Sequence, residues 1–271
     1  MTAAKTLFHD APALRSRAPH GALCIDFDGT LAPIVDDPER ARPFDGASAL
    51  LERLARSWCA VALISGRPAT YLAQHAPARG VRYLGLYGLQ EMRDGGAVVD
   101  GRLHEALPRV EAAGIALRDA GTVRASGAHL EDKQYSIAVH LRRVAQADRW
   151  MEPVAAIAHD VASRYGLEVI PGKLVWELRP PVPADKGDAV LRVVSESGAR
   201  FVTVIGDDLG DLPAFEAAAR LRAEGMETLC VAVRSDEAPA ELLARADRIL
   251  DGPLAVRDFL HVLAPVDGEP L

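Results

Sequence analysis

Short apolar runs alternate with stretches of helical period in the first and last thirds of the chain. The runs at residues 22–25 and 60–64 contain only apolar side chains, which is the pattern of strands buried on both faces of a sheet. An open, mostly parallel α/β sheet of Rossmann-like type is therefore expected. The other elements predicted for this part are helices at 11–17, 46–57, 186–197, 212–222, 239–246 and 254–263, strands at 81–87, 200–205, 228–233 and 248–250, and a polar hairpin at 94–96.

The pattern changes in the middle of the chain, where strands and helices no longer alternate regularly. This order is typical of an α+β unit, and the proline-rich segment at 179–183 that closes it has the composition of a domain boundary. We expect an inserted α+β domain at 103–180, with residues 1–102 and 181–271 forming the parallel-sheet domain. Its predicted elements are helices at 106–120 and 148–165 and strands at 134–142, 167–170 and 174–179, with a turn at Pro171-Gly172.

The composition is that of an ordinary globular protein and argues against some functions. The 271 residues carry a formal net charge of −7, so the basic surface of a nucleic-acid-binding protein is not expected. No stretch is long and apolar enough to span a membrane, and a membrane is not expected as a partner. Cys24, Cys59 and Cys230 lie in strand-like contexts and are expected to be reduced, buried thiols, which favours a cytoplasmic location.

Two aspartates follow directly where the first predicted strand ends. Asp26 and Asp28 come after the apolar run, and Gly29 and Thr30 follow them. Because ligands bind at the carboxyl ends of strands in open parallel sheets, these carboxylates are expected to face a crevice and to attract a cation. The alternative is a capped turn, in which aspartate and glycine act only as turn formers.

Other strand and helix ends also carry polar or charged side chains. The turn that begins at Ser65 can bind phosphate or can simply cap a helix. A single lysine or aspartate at such a position is more often exposed to solvent than catalytic, but several of them in this order are not expected by accident. The candidates, beside Asp26 and Asp28, are Ser65, Gly66, Arg67, Lys186, Asp207, Asp208 and Asp211.

Together these residues resemble the four motifs of the haloacid dehalogenase-like (HAD) phosphohydrolases. The resemblance implies that Asp26 is the nucleophile that attacks phosphorus, which produces an aspartyl phosphate. It also implies that Asp28 first protonates the leaving oxygen and later activates water.

The same resemblance, together with the chemistry of the side chains, suggests how the phosphoryl charge is balanced. Asp26, Asp207 and the main-chain carbonyl of Asp28 form an oxygen-only site suited to Mg²⁺. Lys186 and the turn from Ser65 to Arg67 are expected to bind the remaining phosphoryl oxygens. The remaining two acidic candidates, Asp208 and Asp211, are expected to orient Lys186 and metal-bound water.

The inserted domain indicates a particular family within the HAD phosphohydrolases. Its segments 131–133, 136–140 and 176–180 resemble the C2-type cap of trehalose-6-phosphate phosphatases, and the likeness extends over about residues 23–250. It implies sugar contacts by Glu131, Lys133, Glu177 and Arg179. From the residues alone, a strand at 173–179 places its charged side chains on one face, which describes a solvent-exposed sheet surface equally well.

Two positions depart from the family pattern. Tyr87 stands where many relatives carry His, and Gly210 where many carry Thr. These departures leave the expected catalytic residues intact and concern sugar contacts near Tyr87.

The resemblance implies an Mg²⁺-dependent phosphatase that hydrolyses trehalose 6-phosphate to trehalose and phosphate. One alternative is another HAD sugar phosphatase with the same chemistry, acting on sucrose phosphate or mannosylglycerate phosphate. A second alternative, from another class, is a catalytically silent regulatory module. The candidates Asp26, Asp28, Lys186 and Asp207 favour an enzyme, because a binding module has no need of a protonatable second aspartate.

Overall fold

The computed structural model describes residues 10–35, 37–94, 96–235 and 238–265 of the chain. The chain divides into a large unit, Met1–Val98 with Ala184–Leu271, and a small unit, Val99–Pro183. The strands are β1 Gly21–Ile25, β2 Ala60–Ile64, β3 Val81–Gly85, β4 Gln90–Arg93, β5 Gly96–Val99, β6 His129–Asp132, β7 Ile137–His140, β8 Glu168–Gly172, β9 Val175–Arg179, β10 Phe201–Gly206, β11 Glu227–Arg234 and β12 Arg248–Asp251. The helices are α1 Ala11–Arg17, α2 Ala47–Ser57, α3 Ala69–His75, α4 Gly101–Asp119, α5 Gly121–Ser126, α6 Ala147–Tyr165, α7 Lys186–Ser197, α8 Leu212–Ala223, α9 Ala240–Arg245 and α10 Gly252–Leu263.

An eight-stranded sheet forms the centre of the large unit. Its strand order is β12-β11-β10-β1-β2-β3-β4-β5. The strands from β12 to β3 are parallel, whereas β4 pairs with β3 in the antiparallel sense. The chain runs outward from β1 through β2 and β3, and later from β10 through β11 and β12 on the other side. The strand order therefore reverses between β1 and β10, which is where open α/β sheets bind ligands.

The alternation of side chains along β1 explains why this strand is central. Leu23 and Ile25 lie in an apolar cluster on one face of the sheet, and Ala22 and Cys24 lie in a second cluster on the other. All five residues of β1 are buried. A strand that is covered on both faces needs an unbroken apolar run, and this is what the sequence has at residues 22–25.

The small unit contains a separate four-stranded antiparallel sheet with the order β6-β7-β9-β8. One face of this sheet is apolar: Ile137 and Val139 of β7 pack with Trp176 and Leu178 of β9 in a cluster shared with α4 and α6. The opposite face carries Glu131 of β6 and Glu177 and Arg179 of β9. This pattern of one buried and one polar face is common for antiparallel sheets.

Most predicted elements are confirmed, including the short helix Ala11–Arg17, and four predictions are wrong. The strand predicted at 134–142 covers only Ile137–His140, and Gln134 before it has a left-handed φ of 71°. The third strand ends at Gly85, two residues early, because Leu86 and Tyr87 take left-handed backbone angles (φ 51° and 59°). The turn predicted at Pro171-Gly172 lies instead after Gly172, where Leu174 has a φ of 58°. Cys59 is exposed rather than buried, because it lies in the connection between α2 and β2.

Strand β6 and helix α5 were not predicted. Cys24 and Cys230 are buried and unpaired, as expected. In the hairpin predicted at 94–96, Gly95 lies outside the described residues. None of the helices in the described part of the chain combines the length and apolar character that a membrane crossing requires.

Candidate active site

Three neighbouring strands of the large sheet present polar side chains at their carboxyl ends. Asp26 follows β1 and still pairs with β10, since its amide donates to the Ile205 carbonyl (2.9 Å). Asp207 follows β10, and Ser65 follows β2. All three side chains are buried, with 2–5% exposure. The predicted candidates therefore meet at the point where the strand order reverses.

Lys186 bridges two carboxylates at this point. It is the first residue of α7, and its Nζ donates to Asp26 Oδ1 (2.6 Å) and to Asp211 Oδ1 (2.7 Å). Burial acts to lower the pKa of Lys186, but the carboxylates of Asp211 and Asp26 outweigh it and raise that pKa well above its usual range. The lysine is therefore a fixed positive charge.

Asp211 links this lysine to the end of β10. Its Oδ2 accepts from the amides of Asp207 (2.9 Å) and Asp208 (3.2 Å), while its other oxygen accepts from Lys186. Asp208 and Asp211 form a reciprocal capping box around the turn at Leu209–Asp211. Asp211 thus contacts Lys186 directly, whereas Asp208 is exposed and is engaged in the turn.

Two glycines let these carboxylates approach the backbone. Gly29 has a φ of 79°, and a Cβ at this position would lie 1.9 Å from Asp207 Oδ2. A Cβ at Gly206 would lie 2.2 Å from the Asp211 carboxyl carbon. Larger residues would displace the carboxylates, so both glycines are needed for the geometry of the site.

The acidic side chains have the arrangement of a cation site. Asp26, Asp207 and Asp211 each offer one carboxylate oxygen within 4.8 Å of the others. When all three are ionised, the carboxylates outnumber the Lys186 ammonium by two charges in a buried place. Burial raises the pKa of Asp207 to about 8, and the carboxylates of Asp211 and Asp208 add to this effect. Oxygen donors with this excess of negative charge fit a hard divalent cation.

Asp28 lies outside this buried cluster and forms an ion pair with Arg67. Arg67 Nε donates to Asp28 Oδ2 and Arg67 Nη2 donates to Oδ1, both at 2.8 Å. The Asp28 side chain is 37% exposed and that of Arg67 is 12% exposed. The structure therefore pairs two residues for which the sequence predicted different roles: Asp28 as the proton donor and Arg67 as a phosphate-binding residue.

The turn after β2 is held by contacts to its side chains and its backbone. The Ser65 hydroxyl accepts from the Arg67 amide (3.1 Å), which leaves its own proton free to donate to a phosphoryl oxygen. The first amide of α3, that of Ala69, already donates to the side chain of buried Gln90 (2.6 Å). The amide of Ala69 is therefore already engaged within the protein.

Tyr87 borders the same turn. A Cβ at Gly66 would lie 2.9 Å from the Tyr87 hydroxyl oxygen, so Gly66 provides the space for this ring. The left-handed backbone of Tyr87 is held by its amide, which donates to the Ser65 carbonyl (2.9 Å). The departure from the family pattern at residue 87 thus lies next to the predicted phosphate turn.

A second group of polar residues lies on the polar face of the small unit's sheet. Glu177 accepts from Lys133 Nζ (2.7 Å) and from the Ser136 hydroxyl (2.6 Å), and Lys133 Nζ lies 4.0 Å from Glu131 Oε2. Burial acts to raise the pKa of Glu177, but Lys133 and Ser136 outweigh it and hold that pKa below its usual range. Three of the four predicted sugar-binding residues are thus in one network.

The fourth, Arg179, donates to Glu168 Oε1 (2.7 Å) on the neighbouring strand β8. Lys173, which the sequence placed on the same face, lies in the turn before β9 instead.

Sequence reasoning did not single out three residues at these sites. His140 contacts Glu131 through its Nε2 (2.9 Å), Tyr71 lies under the Arg67 guanidinium, and Gln90 caps α3. The His140 contact follows from strand pairing, since His129 is opposite His140 and Glu131 is on the same face of β6. The contact between Tyr71 and Arg67 could have been predicted, because Arg67, Tyr71 and His75 are spaced by four residues.

Comparisons with known proteins agree with this fold. The C-terminal domain of C. albicans trehalose-6-phosphate phosphatase has a TM-score of 0.73 at 24% identity, covering 94% of this chain and 96% of that chain. A haloacid dehalogenase-like hydrolase from Bacteroides thetaiotaomicron has a TM-score of 0.60 at 15% identity, covering 90% and 99%. At these identities the likeness concerns the fold alone. The expected fold class, a Rossmann-like α/β core of HAD type with an inserted α+β unit, is confirmed.

The sequence comparisons define the family within this class. The trehalose-phosphatase family model matches residues 24–247. A trehalose-phosphate phosphatase of Mycobacterium avium (strain 104) is 36% identical over 97% of this chain and 66% of its own length. The chain belongs to the trehalose-phosphatase family, as the resemblance indicated. It spans 58–66% of the length of five such mycobacterial relatives.

Proposed function

We propose that this chain is a phosphatase that hydrolyses trehalose 6-phosphate to trehalose and phosphate. The observation that carries the proposal is the buried group of Asp26, Lys186 and Asp211 at the carboxyl end of the central strand. Burying these charges is costly, and packing alone does not require them. Membership in the trehalose-phosphatase family supports the choice of substrate class.

Asp26 is the proposed nucleophile. One of its oxygens forms a bond to phosphorus as the ester P–O bond breaks, and the product on the enzyme is an aspartyl phosphate. Lys186 holds Asp26 in a fixed orientation and offers an ammonium to the phosphoryl oxygens. Ser65 donates its hydroxyl proton to another of them.

We propose Mg²⁺ as the cation. Asp26, Asp207 and the main-chain carbonyl of Asp28 are the proposed ligands, and Asp211 orients Lys186 beside them, although its carboxylate also lies within reach of a cation. When bound, the ion neutralises the charge that otherwise repels a phosphate dianion from the carboxylates. The absence of histidine and cysteine from this group favours magnesium over zinc.

Asp28 is the proposed proton donor. It transfers a proton to the leaving sugar oxygen in the first step, and it removes a proton from the water that then hydrolyses the aspartyl phosphate. Its partial exposure is compatible with both steps, since a proton must also exchange with solvent.

The polar face of the small unit is the proposed sugar-binding surface, and the small unit is the proposed cap. Glu131, Lys133 and Glu177 offer carboxylate and ammonium groups that can exchange their mutual contacts for sugar hydroxyls. Arg179 adds a guanidinium from the same strand. The substrate partner proposed here is a phosphorylated disaccharide.

A panel of phosphate esters tests the proposal. Phosphate release is measured for trehalose 6-phosphate, sucrose phosphate, mannosylglycerate phosphate and glucose 6-phosphate, with and without Mg²⁺, and the Asp26→Asn protein serves as control. We expect the highest kcat/KM for trehalose 6-phosphate and none without a divalent cation. A higher value for another disaccharide phosphate would assign the chain to that substrate, and no turnover of any ester would support the silent module.

A further inference from the structure

A column of flat side chains lies beside the Asp28–Arg67 ion pair. The Arg67 guanidinium carbon lies 4.6 Å from the centre of the Tyr71 ring, and the Tyr71 ring stacks on the His75 ring at 4.0 Å. The three residues follow at intervals of four, with Tyr71 and His75 in α3 and Arg67 just before it. They therefore lie along one side of the helix and of its entry.

The Tyr71 ring is itself held in place from several directions. Its hydroxyl donates to the Ala41 carbonyl (3.0 Å), and its ring meets Phe27 edge to face at 5.9 Å. Phe27 is fully buried and separates Asp26 from Asp28 in the chain. The ring is thus anchored to the turn that carries both aspartates and to the loop around Ala41.

The geometry of the ion pair gives Arg67 an orienting function. An ionised carboxyl group has about four acceptor positions, two on each oxygen. Arg67 uses one position on each oxygen of Asp28, so one position on each remains to carry or accept a proton. A bidentate contact also fixes the plane of the carboxyl group, which a single hydrogen bond does not.

An arginine side chain alone is too mobile to fix that plane. Ordering it costs conformational entropy, and a face-on aromatic ring reduces the number of orientations that the guanidinium can take. Tyr71 supplies this ring in the described structure.

We propose that Tyr71 is a positioning residue for proton transfer: its ring sets the guanidinium plane of Arg67, and Arg67 in turn holds the Asp28 carboxyl in the orientation needed to protonate the leaving oxygen. The proposal rests on the proposed phosphatase reaction, but not on which sugar is the substrate. Tyr71 itself touches neither the nucleophile nor the proton that is transferred.

Two aryl phosphates distinguish an effect of Tyr71 on proton transfer from an effect on phosphate binding. 4-Nitrophenolate leaves readily without a proton, whereas phenolate is a poorer leaving group and benefits from an acid. The value kcat/KM reports the steps up to formation of the aspartyl phosphate, so later hydrolysis does not enter the comparison. We expect Tyr71→Leu to lower kcat/KM about tenfold for phenyl phosphate and less than about threefold for 4-nitrophenyl phosphate.

Three further variants sharpen the experiment. Tyr71→Phe keeps the ring and is expected to restore most of the loss on phenyl phosphate. In an Arg67→Lys background, which has no planar guanidinium, Tyr71→Leu is expected to have little further effect. Tyr83→Leu is the matched control: Tyr83 packs in the same apolar cluster and bonds to Ala76 and Ala78, so its loss lowers stability without changing the ratio of the two substrates.

The result that overturns the proposal is an equal loss on both aryl phosphates in Tyr71→Leu, or full additivity with Arg67→Lys. Either would make Tyr71 a general packing residue. Failure of the proposed function gives a different result. A wild-type protein that hydrolyses the aryl phosphates but not trehalose 6-phosphate has another natural substrate, and the Tyr71 comparison is still decided by the aryl pair.

Discussion

The two units each carry a group of charged side chains, but the groups differ in depth. In the large unit, Asp26, Asp207, Asp211 and Lys186 are at most 6% exposed. In the small unit, the side chains of Glu131, Lys133 and Glu177 are 12–21% exposed. The first group has an excess of negative charge, while Lys133 lies between two glutamates in the second. Depth and charge excess suit the first group to a cation, and moderate exposure suits the second to exchange its partners for a ligand.

This difference also predicts how each group responds to substitution. Removing one partner from a buried ion pair leaves an uncompensated charge, which typically costs about 3–5 kcal/mol. Removing one partner from a partly exposed pair costs less, because water solvates the other. Changes in the large unit should therefore affect catalysis and folding together, and changes in the small unit should mainly affect substrate preference.

The largest effect is expected for Asp26→Asn. The amide keeps the shape of the side chain but is a much weaker nucleophile, so the rate should fall by about 10⁴-fold or more. Steady-state phosphate release measures the loss, and thermal unfolding checks that the fold is retained. Substantial turnover by the purified, folded variant would show that Asp26 is not the nucleophile.

The second prediction concerns removal of the metal ion and tests whether the excess negative charge of the buried carboxylates serves to bind a cation. EDTA should abolish turnover reversibly, and Mg²⁺ should restore it. Zinc should substitute poorly, because the carboxylate group has no nitrogen or sulfur donor. Activity that survives exhaustive chelation would show that the buried carboxylates do not bind a metal ion that the reaction needs.

Variants of the small unit come third and should change specificity. Glu131→Ala, Lys133→Ala and Glu177→Ala should each lower kcat/KM for trehalose 6-phosphate by about tenfold or more, the effect of one lost polar contact. Hydrolysis of a small aryl phosphate should hardly change, because it needs only the large unit. Binding energy from the distant sugar ring can also act in the transition state, so kcat should fall as well as KM rise.

The control for this prediction is a substitution on the same unit but away from the polar network. Arg164→Ala breaks an exposed pair with Asp160 on α6 and should leave both substrates unaffected. If the three network variants lose activity equally on both substrates, the polar face does not determine specificity.

The difference in burial between the two groups also determines how well each of them could be predicted from the sequence. The strand ends of the large unit were predictable because a strand covered on both faces must be continuously apolar, and its end is marked by the first charge, Asp26. Parallel pairing then brings Asp26, Ser65 and Asp207 together without further information. The Asp28–Arg67 pair was not predictable, since the two residues lie 39 positions apart and both had other roles to fill.

The small unit was harder to predict because its strands are short and polar. Strand β6 has only four residues, two of them acidic, and lies at the sheet edge, where burial imposes no pattern. Pro171 and Gly172 indicated a turn, but β8 is the other edge strand, and proline is tolerated there because one side needs no amide donor. The contact between Glu131 and His140 depends on this unpredicted strand.

The smallest effect is the fourth prediction and concerns pH and stability. The pKa of Asp207 is raised to about 8 from a usual value near 3.8, chiefly by burial. Between these values the folded protein binds more protons than the unfolded chain, so the stability of the metal-free protein should fall as pH rises from about 4 to 8. The pKa of Glu177 is lowered instead, so its contribution is lost only as pH falls through the acidic range.

Thermal unfolding in EDTA and in Mg²⁺ at several pH values measures this effect. Without metal, the midpoint should be at least about 2 °C lower at pH 8.5 than at pH 6, since roughly 1 kcal/mol corresponds to 2–4 °C at this chain length. The increase produced by Mg²⁺ should be larger at pH 8.5, because at pH 6 the cation must displace a proton from Asp207. Asp207→Asn is the matched control and should remove most of the pH dependence of the metal-free midpoint. A metal-free midpoint that rises from pH 6 to 8.5 in the unmodified protein would mean that Asp207 is already ionised at pH 6, and the raised pKa inferred from its burial would be wrong.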